Sequence, residues 1–321
     1  MTETHPMSVS ATGRPTGVVA LAKDFVSVQG PDALRFLQGQ LSQNVDFAVD
    51  SNADSLLLSP QGKLVAFLSV LRPGDDHFVL MVDGGWGDAV IERLERFKLR
   101  VKCDVAPLAW RCLAVRGPRA HDLFLEPDPG RPRGIEYAGA VLQADWPGLD
   151  GVDLVGPDPR TPDAIVALDP DHYEAMRIEA GVPVMGRELT DATIPAEAGI
   201  VDRSASFTKG CYTGQELVAR IDSRGGNVPR RLRGVVINQM VSADRSGEPP
   251  RLRVEGRVVG TITSWGWSKA RTATVALAYV KRGIEPPADV EVTWGESADP
   301  TLSASLATTV SGRVQALPLI P

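Results

Sequence analysis

The sequence predicts an α+β chain: a mixed strand-and-helix region over residues 18–230, then a small antiparallel β-barrel over 231–321. Two patterns predict it. Strand-like and helix-like apolar spacings alternate from Val18 to about Leu108, whereas from Arg231 onward short apolar segments recur between turn residues with no helical period. Composition agrees with a globular protein: of 321 residues, 43% are hydrophobic and 23% charged, enough for two or three packed domains.

In order, Phe25-Val26-Ser27-Val28 reads as a strand closed by Gly30-Pro31, and Asp32 to Leu41 as a helix with Leu34, Leu37 and Leu41 on one face. Ser55 to Leu58 and Leu64 to Leu71 are apolar runs around Pro60-Gln61-Gly62, a hairpin signal. His77 to Val82 is a further strand, and Trp86 to Leu99 a helix carried by Val90, Ile91, Leu94 and Phe97. Arg111–Val115 and Val141–Ala144 read as strands, with loops at Glu126–Gly134 and Gly156–Pro162. Asp169 is placed to cap a helix over Pro170–Ala180 that Gly181 ends. The barrel segments are Leu232–Ile237, Arg251–Val254, Val258–Thr263, Val275–Val280, Val290–Trp294 and Leu302–Ala307, with Met240–Pro250 the longest break.

Charge and composition narrow the function. A net charge of -6 with no basic block lacks the footprint of a nucleic-acid binder, so no direct nucleic-acid contact is expected. No window approaches the roughly 20 apolar residues of a membrane span. Residues 1–17 are polar, without an apolar core, and are expected to be a disordered tail rather than a signal peptide. Cys103, Cys112 and Cys211 form no CxxC pair and are odd in number, which points to a reducing, cytoplasmic setting. The four scattered histidines supply no metal-ligand spacing, and no metal site is expected.

Cys211 is the residue that stands out. Thr213 and Glu216 fit a capping box, predicting a helix from Gly214 to about Ser223 that buries Leu217, Val218 and Ile221 and ends at Gly225-Gly226. Cys211 would then lie near the positive end of that helix, with Lys209 two residues away, and both influences favour a thiolate. A small buried apolar cysteine is the other reading these residues leave open. For Cys103 and Cys112, set in apolar strand surroundings, burial is the expectation.

The segment Lys209-Gly210-Cys211-Tyr212-Thr213-Gly214-Gln215-Glu216, with Val218-Ala219-Arg220 and Arg224-Gly225, resembles the signature of the YgfZ family of folate-binding proteins. Phe36-Leu37-Gln38-Gly39-Gln40-Leu41 with Asn44-Val45, Ser59-Pro60-Gln61-Gly62-Lys63, Arg177 to Pro183, Ile194-Pro195 with Glu197, and Val259 to Ser264 with Ala276 to Val280 carry the resemblance across Val18 to Arg282. That family is similar to the glycine-cleavage T-protein, an aminomethyltransferase. The resemblance implies aminomethyltransferase-like antiparallel sheets with helices, two intertwined folate-binding subdomains over 18–230 and a tetrahydrofolate cofactor. It implies an accessory role in assembling or repairing iron–sulfur enzymes, which are the expected partners and link the family indirectly to tRNA modification. Glu179 would hold the pterin, Arg177, Arg230 and Arg231 would neutralise the glutamate tail, and Tyr212 and Gln215 would complete the cofactor site. Cys211, assisted by Lys209, would be the reactive thiolate beside the folate. Where the T-protein carries an acidic pair after the hairpin turn, the aligned positions here are Val65-Ala66, which leaves its acid/base role unfilled. A folate-dependent one-carbon transferase is the alternative.

Overall fold

A computed structural model describes residues 16–118, 120–124, 139–144, 146–162, 165–223, 226–241, 248–294 and 308–320. The expected loop at Glu126–Gly134, the strand at Leu302–Ala307, nearly all of the expected tail and the Arg224-Gly225 pair lie outside them.

Two five-stranded sheets and one barrel make up the architecture. The first sheet has β1 (Gly17–Leu21), β7 (Arg111–Arg116), β8 (Ala140–Gln143), β9 (Gly151–Gly156) and β10 (Val166–Ala167) in the order β10-β1-β7-β9-β8. The second has β2 (Lys23–Gln29), β3 (Asn52–Leu58), β4 (Leu64–Gly74), β5 (His77–Asp83) and β6 (Asp104–Leu108) in the order β3-β4-β5-β2-β6. Every pairing is antiparallel except that of β1 with β10. The sheets meet through Phe25, Leu71, Val79, Met81, Cys112, Leu142 and Val155. The opposite face of the second sheet is covered by α1 (Ala33–Gln40) and α2 (Gly87–Phe97), whose Leu37, Val90 and Leu94 are fully buried.

The helix α4 (Pro170–Ala180) is bounded as its sequence dictates. The Asp169 carboxylate accepts from the His172 N–H at 3.0 Å, Pro170 sits in the first turn, and Gly181 closes the helix at φ 75°. Its Ala175 and Ile178 pack on Leu232, Val275, Leu277 and Tyr279, which fixes the helix on the barrel. The barrel is closed in the order β11-β14-β13-β12-β15-β16. Its strands are β11 (Arg230–Ile237), β12 (Arg251–Val254), β13 (Arg257–Ser268), β14 (Ala273–Lys281), β15 (Ala288–Trp294) and β16 (Thr308–Gln315). Val235, Ile237, Ile262, Ala276, Ala278, Val292 and Val314 fill the interior, as inward-facing residues do in a small barrel. The strand that closes it, β16, follows the predicted Leu302–Ala307 segment.

Between α4 and the barrel run the 3-10 turn Pro195–Glu197, the short helix α5 (Val201–Ser204) and α6 (Gln215–Ser223); the short helix α3 (Ala120–Phe124) follows β7. No helix among the described residues is long and apolar enough to cross a membrane.

Candidate ligand cavity and thiol segment

The two sheets and α4 leave between them a cavity of about 290 Å³. Lys23, Asn52, Asp54, Phe67, Ser69 and Asp83 line it from the second sheet; Arg116, Gln143, Trp146 and Asp153 line it from the first sheet and the chain next to it; Tyr173 and Arg177 of α4 and Arg203 of α5 complete it. The walls hold four cations and three carboxylates, and each carboxylate has a cationic partner: Lys23 meets Asp83 at 2.6 Å, Arg116 meets Asp153 at 2.8 Å, and Arg203 lies 3.6 Å from Asp54. Pairing of this kind is what makes buried charge tolerable. Burial alone would push the Lys23 pKa down; the Asp83 carboxylate outweighs it, and the ammonium titrates above its ordinary range.

Arg116 shows how backbone and side chain build one wall together. Its guanidinium donates to the Val115 and Val152 carbonyls and to Asp153, and lies 4.4 Å above the Trp146 ring. Gly151 makes room for it: a Cβ there would stand 2.7 Å from Arg116 Cδ. Arg116 Nε is buried with no acceptor.

Arg177 lines the cavity, but its five N–H donors are all committed. Nε and one Nη2 hydrogen go to Glu174, the other Nη2 hydrogen to Ser264, and Nη1 to the Val182 carbonyl and Glu188. A guanidinium has no sixth donor, and these bonds tie α4 to the barrel at the place where Arg177 was expected to meet the glutamate tail. Burial works against ionisation of Glu174, yet the hydrogen bond and charge of Arg177, joined by Arg187, hold its pKa below the usual value. Glu188, which no motif or spacing singles out, is the hub of this network. It is fully buried and also accepts from Thr263 Oγ1, Ser264 Oγ and the Val184 N–H.

Glu179 does not line the cavity. It is buried against the barrel, where Ser268 Oγ donates to it at 2.6 Å and Arg271 Nε stands 3.6 Å away. Helical geometry explains this, because Glu179 lies on the barrel-facing side of α4 with Ala175. Arg230 donates to Glu197 at 3.0 Å and stacks 4.4 Å over Tyr279. Arg231 donates to the Gly226 carbonyl and lines a separate groove beside α6. The residues expected to form one folate site are therefore spread over four places.

The thiol segment is a fifth. Cys211 is exposed and lines neither the cavity nor the groove. The expected capping box does not form: Thr213 bonds to the Gly39 carbonyl, and α6 begins at Gln215, whose Oε1 accepts from the Tyr212 N–H at 3.3 Å. Tyr212 is buried in the core beneath and packs rather than presenting a stacking surface. Gly214 (φ 82°) faces Gly62 (φ 77°) of the hairpin turn. A Cβ on Gly214 would meet the Ser59 carbonyl and Leu58 Cβ, and one on Gly62 would meet Leu217 Cβ at 2.6 Å. The two glycine-bearing motifs are thus halves of one close contact. Lys209 is half-buried and donates to the Leu41 and Gln43 carbonyls, both at 2.8 Å, and burial pushes its pKa down to about 8.

This contact sits at the turn end of the β3–β4 hairpin, whereas Asp54 and Ser69 line the cavity further along it. The four residue-to-residue steps from Asp54 to Leu58 span about 13 Å of strand. A short bridge joins the two regions: Lys209 holds the Gln43 carbonyl, Gln43 Nε2 donates to the Arg203 carbonyl at 3.3 Å, and Ser42 Oγ donates to the Ser204 carbonyl at 2.6 Å.

Cys103 and Cys112 are buried, as expected, and burial pushes both thiols up. Val65 is partly buried against the core and Ala66 fully buried, so neither supplies an acid. Among the described residues no three His, Cys, Asp or Glu side chains converge as a metal site.

Comparison with known proteins bears on this geometry. Residues 22–127 match the family model described as the GCVT N-terminal domain. The chain is 24% identical over 280 residues to an aminomethyltransferase of Staphylococcus haemolyticus (strain JCSC1435), covering 80% of this chain and 76% of that one. In structure it is similar to the glycine cleavage system aminomethyltransferase T from Bartonella henselae, with a TM-score of 0.74 and 21% identity over 96% of this chain and 87% of that one. Two antiparallel sheets with helices, followed by a closed six-stranded barrel, are therefore the aminomethyltransferase-like fold.

Proposed function

We propose that this chain binds tetrahydrofolate in the cavity between its two sheets and acts as an accessory protein to iron–sulfur enzymes through the exposed Cys211. The observation that carries the ligand is the cavity. It is flat-walled at Trp146, carries amides at Asn52 and Gln143, and presents the carboxylates of Asp54, Asp83 and Asp153. Carboxylates and amides match the aminopyrimidinone edge of a pterin, and an aromatic face matches its ring. At about 290 Å³ the cavity holds the head of such a ligand and leaves its tail to run outward. Tetrahydrofolate supplies nitrogen atoms able to carry a one-carbon unit; the chain's own residues orient it, with Arg116 fixing Trp146 and Asp153 in place.

The placement of Cys211 alters its expected role. Exposed, and at the turn end of the hairpin, it suits a partner protein rather than the ligand in the cavity. The resemblance of its segment to the YgfZ signature supports an iron–sulfur enzyme or assembly protein as that partner. Replacing Cys211 with Ser and assaying a cluster-dependent enzyme in cells under oxidative stress tests this; full activity in the variant would sink it.

Aminomethyl transfer is the second reading, favoured by the similarity to aminomethyltransferases along most of the chain. Against it stand Val65 and Ala66, which are apolar, and the cationic partners that Asp54, Asp83 and Asp153 already have. Isothermal titration with tetrahydrofolate, paired with a turnover assay on an aminomethyl donor, separates the readings: binding without turnover supports the first, and turnover the second.

A further inference from the structure

Helix α6 leaves part of its apolar face uncovered. Leu217, Val218 and Ile221 share that face at helical spacing, yet only Val218 is buried. Leu217 packs against Gly62 of the hairpin turn, and Ile221 stays half-buried. Across from them stand Ile194, Pro195 and Val201. The two sides enclose a groove of about 210 Å³ that shares no lining residue with the cavity. Its acids stand one on each side, Asp202 on α5 and Asp222 on α6. Both are exposed, and among the described residues neither forms an ion pair. Arg231, the one cation in the lining, donates to the Gly226 carbonyl. The other charges of α6, Glu216 and Arg220, stand four residues apart and outside the lining.

An apolar floor with a charged, solvated rim is the anatomy of a protein-binding surface, and a half-covered helix face is how a groove receives a peptide. With a carboxylate on either side, this rim complements a basic segment and repels an acidic one. The groove also lies beside the thiol segment. Cys211 is exposed four residues before α6, and the Tyr212 N–H is bonded to the side chain of Gln215, the first residue of that helix. We propose that this groove docks the partner protein that Cys211 faces, by receiving a short segment whose apolar side chains are flanked by lysine or arginine. The inference rests on the reading of Cys211 as a partner-facing thiol.

The test selects binders to the full chain from a phage-displayed library of random short peptides, then measures a synthetic copy of the most enriched one. The wild type is compared with Ile221→Gln and with the double variant Asp202→Asn, Asp222→Asn, each shown by thermal melting to be folded. Enriched peptides are expected to combine apolar residues with lysine or arginine. Their affinity should fall about tenfold in either variant, the size of two exposed charge pairs or of one lost apolar contact. No enrichment, enrichment without basic residues, or unchanged affinity in both variants overturns the groove as this docking site. Dimerisation of the wild type that the double variant abolishes names a second copy as the occupant and overturns the basic partner. In cells, both variants should lower the activity of a cluster-dependent enzyme as Cys211→Ser does. Loss in Cys211→Ser with full activity in both groove variants overturns the docking assignment and leaves the thiol reading standing. Full activity in Cys211→Ser, with basic peptides still selected, overturns the thiol reading and its link to the groove.

Discussion

The cavity and the thiol segment solve opposite problems. In the cavity, charged side chains from distant parts of the chain neutralise one another in ion pairs. In the thiol segment a single short stretch is moulded onto a hairpin turn by glycine contacts and a lysine on two carbonyls, and its sulfur is left outside. On the function proposed above, the first region holds something small and the second presents one atom to something large. A chain that used its thiol on the bound ligand would need both in one place, and here a length of hairpin separates them, bridged by residues 41–43.

That contrast can be broken from either side. The largest effect is expected from Arg177→Gln, which leaves Glu174 and Glu188 buried without their shared cation and should cost about 3–5 kcal/mol in urea unfolding. Gly214→Ala comes next. It places a side chain at φ 82° against Leu58 and the Ser59 carbonyl, and should cost about 2–3 kcal/mol while leaving the cavity's affinity for ligand unchanged in whatever fraction stays folded. Gly151→Ala should do the reverse. By pushing on Arg116 it should lose about 1–3 kcal/mol of stability and weaken ligand binding, as titration would show, without altering the rate at which Cys211 is alkylated.

Lys209 gives a pH signature. Burial disfavours its charged form, so the folded chain releases this proton at about 8 while the unfolded chain holds it to the ordinary lysine value of 10.5. The cost of burying the charge is fully present below about 8 and is relieved as pH rises through that interval, so this residue's contribution to stability grows with pH. Acylation of Lys209 followed by mass spectrometry should show a midpoint near 8, and a midpoint above 10 would contradict its burial. The smallest effect is that of Cys211→Ser on stability, expected within about 0.5 kcal/mol because the side chain is exposed.

What the sequence reveals follows the same division. Helix α4 is legible because Asp169, Pro170 and Gly181 are local signals, and the barrel because its apolar runs are short and aperiodic. The glycines of both motifs are legible too, although only the structure explains them as one contact. Strand β9 is not legible, since it carries Asp153 at its centre; that carboxylate is paired with Arg116, which belongs to another strand. The cavity is hidden for the same reason. Its ion pairs join residues far apart in the chain, such as Lys23 with Asp83 and Arg203 with Asp54, which no spacing rule connects. Arg177 and Glu179 are two residues apart and both reach the barrel, yet only Arg177 also lines the cavity.

The most direct test of the account is a crystal structure of the chain soaked with tetrahydrofolate. The pterin is expected between the two sheets, against Trp146 and within hydrogen-bond reach of the cavity carboxylates, with the Cys211 sulfur out of contact with the ligand. A pterin bound in the groove beside α6, or lying against Cys211 itself, would contradict it.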